Sequence, residues 1–94
     1  MTVVKTIWKS VIRPNSVNSE VFEIRVPAKR GARAVSVGLQ DGKICVWYEV
    51  RPLNEDQDLV LYSVGTGFGK VPDSARFIGT VIEGSYVWHI YAER

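Results

Sequence analysis

RAVSVGLQDGKICVWYEV, residues 33–50, decides the fold: two alternating apolar runs meet at Asp41-Gly42. Asp-Gly between such runs marks a β-hairpin, because a type I′ turn requires positive φ at both central residues. In the first run, RAVSVGLQ, alternation sets Val35, Val37 and Leu39 inward. The second run, KICVWYEVR, keeps the same period of two and pairs back on the first.

Working outward, the same pattern recurs along the chain. In VVKTIWKSVI (3–12), Val3, Ile7 and Val11 share a side with Lys5 and Lys9, while Val4, Trp8 and Ile12 form the expected core side. In EVFEIRV, Phe22, Ile24 and Val26 alternate with Glu23 and Arg25 until Pro27 removes a backbone donor and ends the ladder. LVLYSV (59–64), ARFIGTVI (75–82) and SYVWHIYA (85–92) complete the set, the last two joined through Glu83-Gly84. No useful stretch repeats apolar residues at helical spacing. The chain is expected to be all-β, a small antiparallel sandwich or barrel of about seven strands.

Composition agrees. The 94 residues, 46% of them hydrophobic, suit one β domain over 1–94 with a modest core. Twelve Lys and Arg against 10 Asp and Glu leave a formal charge of +2, too mild to imply long nucleic acid as a partner. The one cysteine, Cys45, excludes an intramolecular disulfide and a cysteine-based zinc site. No apolar run approaches the roughly 20 residues that span a bilayer, so no membrane association is expected. The chain reads as a soluble, unprocessed protein of a reducing cytoplasm.

Three segments escape the alternation, and loops on a β scaffold are where binding groups concentrate. PLNEDQD (52–58) is acidic and reads as a solvated turn. GTGFGKVPDS (65–74) is not a Walker A motif, since Lys70 is followed by Val71-Pro72 and not by Ser or Thr opening a helix. Two readings stand for it. It is a wide turn whose glycines supply positive φ, or a nest of backbone N–H groups at Gly65, Thr66 and Gly67 that receives an anion, with Lys70 as a point charge. PAKRGAR (27–33) adds Lys29, Arg30 and Arg33, a solvated loop tip or a phosphate clamp. If both loops lie at one end of the fold, they form one anion pocket.

Chemistry beyond binding is not signalled. His89, the one histidine, is expected to be structural, hydrogen-bonded at a core edge or an interface. Cys45, mid-strand between Ile44 and Val46, is expected to be a buried, inert thiol. No catalytic set, metal-ligand spacing or cofactor motif is found, and the expectation is a non-enzyme. Aromatics are abundant for so small a chain. Trp47 and Tyr48 are adjacent, so they point to opposite faces of their strand, and both faces cannot line one interior. A subunit interface or a ligand-stacking surface is expected over the second face, with Trp8 and Trp47 as the candidate stacking rings.

Ile7-Trp8-Lys9, Gln40 to Trp47 as Gln-x-Gly-x-x-Cys-x-Trp, Gly65-Thr66-Gly67, Phe77-Ile78-Gly79-Thr80 and His89 occur in this order. In these motifs the chain resembles a family of short proteins of unknown function in phage and bacterial genomes. The resemblance implies a phage-type gene, acting in the host cytoplasm, and little about chemistry. Two departures stand out: Phe68 follows Gly-Thr-Gly where the family often has His, and the turn Pro27 to Ala32 is longer and more basic. Together these features suggest an oligomeric binding protein that sequesters a small anionic, nucleotide-like ligand, such as a cyclic nucleotide or related host immune signal, and so blunts defence. The alternative is a protein-binding or structural module that docks a host protein or virion subunit through its aromatic face.

Overall fold

The computed structural model describes residues 4–14, 21–67 and 69–94. Among these residues seven strands follow one another: β1 (Thr6–Val11), β2 (Phe22–Val26), β3 (Arg33–Gln40), β4 (Lys43–Val50), β5 (Leu59–Val64), β6 (Arg76–Glu83) and β7 (Tyr86–Ala92). They form a three-stranded sheet, β1-β4-β3, and a four-stranded sheet, β2-β5-β7-β6, antiparallel throughout. The sheets pack face to face as a sandwich.

Asp41 and Gly42 carry φ of 52° and 73°, the positive pair that a two-residue type I′ turn needs. The β6–β7 hairpin turns one residue later than expected. Glu83 pairs with Tyr86, which leaves Gly84-Ser85 as the loop, and only Gly84 of the two has positive φ, at 59°. That pattern is type II′, with glycine at its first central position.

The core draws on both sheets: Ile44, Val46, Tyr48 and Val50 of β4 face Leu59 and Leu61 of β5, Trp88, Ile90 and Ala92 of β7, and Val81 of β6. Trp8 and Ile12 lie on the core side as alternation predicts, and Trp8 meets Tyr48 edge to face at 6.4 Å between ring centres. Val4, before the sheet begins, is exposed. The inward assignment of β3 needs correction. A bulge between Ala34 and Ser36 shifts its register, so Val35 is 46% exposed and the buried residue is Ala34. Val37 packs on the core, but Leu39, beside the hairpin tip, is 48% exposed.

β3 and β6, an edge strand of each sheet, lie against one another. Arg76 reinforces this seam by donating to the Ala34 carbonyl at 2.7 Å, and the Ala34 N–H donates to the carbonyl of Arg94 at 2.8 Å.

Candidate functional site

Strand alternation gives the four-stranded sheet an outer face, and its register sets Val64, His89 and Thr80 side by side on that face across β5, β7 and β6. The glycine loop leaves β5 immediately after Val64. Two residues on, Thr66 comes back over His89, and its Oγ1 lies 2.7 Å from Nε2. Thr80 Oγ1 lies 2.9 Å from the other ring nitrogen, Nδ1. Both imidazole nitrogens are thus held by hydroxyls, which fixes the ring plane. Each hydroxyl can donate or accept, so the pair accommodates either neutral tautomer and the protonated ring.

Around this cluster opens a shallow cleft of about 310 Å³, lined by Gly65, Thr66, Gly67, Gly69, His89 and Tyr91 among others. Gly67 and Gly69 adopt φ of 78° and 69°, backbone that a side chain strains, and a Cβ at Gly67 would meet nothing within 4 Å. Glycine is therefore required at 67 by backbone conformation and not by crowding. Tyr91 closes one side, its ring 5.3 Å from that of Phe77 in an edge-to-face pair. Phe68, the family departure noted above, lies outside the described residues. Lys70 follows in the same loop and is exposed.

The other expected site residues lie elsewhere. The basic loop leaves β2 after Val26, which pairs with Leu59 at the start of β5, whereas the glycine loop leaves the end of β5. Five residue steps of strand separate the two loops, about 17 Å. The single anion pocket built from both does not form. The basic loop instead meets the acidic turn. Lys29 Nζ bonds Asp56 Oδ1 at 2.6 Å, Arg30 pairs with Glu55 at 3.2 Å, and the Arg30 N–H donates to the Glu55 carbonyl at 2.8 Å. The turn read as merely solvated therefore partners the basic loop.

Arg33 lines a separate recess of about 180 Å³ with Lys5, Glu49 and Arg51. Trp8 is committed to the core, and Trp47 lies on the outer face of the three-stranded sheet. Neither ring reaches the glycine-loop cleft. Cys45 is 1% exposed and buried, as expected of an inert thiol.

Gly65, Thr66 and Gly67 are the cleft residues expected from the sequence; Gly69 and Tyr91 extend its lining, and Thr80, bonded to His89 Nδ1, holds the ring from behind. His89 was singled out, although without Thr66 or Thr80. Among the described residues no group of His, Cys, Asp and Glu is arranged to hold a metal ion. Nor, among the described residues, is any helix long and apolar enough to cross a membrane.

Seven strands in two packed antiparallel sheets, with a histidine-centred cleft beside a glycine loop, define a small β-sandwich. The chain belongs to a family described as a domain of unknown function, DUF7352, which matches over residues 3–94. Compared with curated proteins and with solved structures, the chain finds no match in either.

Proposed function

We propose that the protein is a non-enzymatic binding module that takes a small anionic ligand in the glycine-loop cleft. The observation that supports this best is the convergence of Thr66, His89 and Thr80 beside Gly65, Gly67 and Gly69. Glycine backbone leaves N–H groups accessible to an anion's oxygens, hydroxyls add donors, and Lys70 supplies charge from the same loop. Tyr91 offers a ring for stacking. About 310 Å³ sits at the small end of ligand pockets, which suits a mononucleotide-sized compound. Cyclic nucleotides belong to that class, and the phage-type setting that the resemblance implies fits a protein sequestering such an immune signal in the host cytoplasm. Arg30, Arg33, Trp8 and Trp47 have no part in this site.

Thermal melting against linear nucleotides, cyclic nucleotides and inorganic phosphate tests the reading. A ligand at 100 times its Kd adds roughly 2.7 kcal/mol, several degrees in Tm for a domain of this size. A flat panel from well-folded protein overturns it.

A second reading draws on Phe77 and Ile82, 52% and 63% exposed, which share the cleft's face with Val87. These residues suit docking of another protein or a second copy, and light scattering of wild type against Phe77→Ser checks for self-association. A copy seated there would also wall the open side of the cleft.

A further inference from the structure

A net charge of +2 is an average, and the charges are not spread evenly. Cross-strand register defines the outer face of the β1-β4-β3 sheet: Ile7, Lys9 and Val11 of β1, Lys43, Cys45, Trp47 and Glu49 of β4, and Arg33, Ser36, Gly38 and Gln40 of β3. Lys5, just before β1, and Arg51, just after β4, join Arg33 and Glu49 in the recess at one end. The face thus gathers Lys5, Lys9, Lys43, Arg33 and Arg51 against one carboxylate, Glu49, which Lys5 approaches at 3.8 Å, while Lys9 donates to Gln40. Acidic residues collect elsewhere, as in Glu55, Asp56 and Asp58 of the turn.

Trp47 stands mid-face on the central strand, directly opposite Lys9 on one side and Ser36 on the other. Its Cζ3 lies 3.8 Å from where a Cβ on Gly38 would be, so the indole leans over β3 into space that a larger side chain would take. A half-buried ring lying on a sheet, with cations at both ends of the strand, has the layout of a single-strand platform: backbone charge neutralised along a track and a base stacked on an aromatic face. From Lys43 to Arg51 the strand runs about 26 Å, comparable to the smallest single-strand sites of about four nucleotides.

We propose that this outer face binds single-stranded nucleic acid, with Trp47 stacking on a base and Lys5, Lys9, Lys43 and Arg33 holding phosphates. The half-buried indole, flat on the sheet, argues against an acidic peptide, which has no flat partner for it. An open sheet face likewise offers nothing to enter a duplex groove. This surface is on the opposite side of the sandwich from the glycine-loop cleft and stands independently of the function proposed there.

The test is fluorescence anisotropy of a labelled oligo-dT of about twelve nucleotides, titrated at several salt concentrations. Binding is expected to fall with salt at a log–log slope of roughly −0.7 for each phosphate held. Trp47→Ala should weaken binding about tenfold while Trp47→Phe retains most of it, and Lys9→Glu with Lys43→Glu should weaken it and flatten the slope. Thr66→Val should bind as wild type. Trp8 and Trp88 pack on the interior, so quenching of intrinsic fluorescence by the oligonucleotide reports Trp47 even if a Trp47 variant fails to fold. No binding at low salt overturns the proposal. So does binding without quenching, or equal affinity for duplex DNA, heparin or anionic vesicles.

Discussion

Gly79 of β6 and Val37 of β3 approach so closely at the seam between the sheets that a Cβ at 79 would lie 3.0 Å from Val37 Cγ1. Gly79 shows no positive φ, so its requirement for glycine is steric. Gly79→Ala is expected to destabilise by about 1–3 kcal/mol through overpacking, and adding Val37→Ala should recover part of that loss. Gly42 is the opposite case, with open space but φ of 73°. Gly42→Ala should cost about 1 kcal/mol, and Val37→Ala should leave that cost unchanged. Urea unfolding of the wild type, the three single variants and the two double variants separates the two mechanisms.

Ser63 turns its hydroxyl into the sandwich interior, buried and without a hydrogen-bond partner among the described residues. Removing an unsatisfied buried group relieves its desolvation cost. Ser63→Ala is expected to be neutral or to stabilise by up to about 1 kcal/mol, read as a shift in urea midpoint at constant slope. A clear loss of stability would show that the hydroxyl has a partner in solution.

The Tyr62 phenol donates to Glu93 Oε1 at 2.6 Å. That hydrogen bond, followed by burial and the negative charges of Glu93 and Glu23, raises the phenol above its ordinary 10.0. A phenol raised on folding contributes stability that is complete below the ordinary value and lost as pH rises through the folded value. Alkaline difference spectra should show one tyrosine titrating late, and Glu93→Gln should bring it back toward the ordinary range. Unaltered spectra in the variant would sink this account.

Thr66 and His89 are joined only through side chains, so they can be altered without touching the ladder. Thr66→Val removes the hydroxyl at nearly constant shape, and it should abolish a nucleotide-induced rise in Tm while changing the unliganded Tm little. Thr66→Ser should restore the response. A ligand shift that survives both Thr66→Val and His89→Ala would place the ligand elsewhere.

Much of the fold was legible because strand alternation and Asp41-Gly42 are local signals. Alternation failed where it met a bulge, at Val35, and where a strand reached the hairpin tip, at Leu39. The site was harder for a related reason. A loop of Gly84-Ser85 places Thr80 opposite His89, each four residues from the turn, whereas a loop of Glu83-Gly84 would have set His89 against another residue. One residue of error at the turn hid half of the histidine's environment. Thr66 reaches His89 across 23 residues, through a loop that carries no periodic pattern. Alternation puts Trp8 on the core side, but which of Trp47 and Tyr48 faces outward follows only from the pairing of β4 with β1 and β3.

The order of strands also bears on how the chain is made. β1 and β2 emerge first from a ribosome, yet β1 pairs with β4 and β2 with β5, so neither has its partner when it appears. The β3–β4 and β6–β7 hairpins close on themselves within microseconds, while the N-terminal strands wait for distant partners and are added to sheet margins. A nascent chain halted before β5 would hold β2 as an unpaired apolar strand, the segment on which a chaperone or a neighbouring nascent chain would act first.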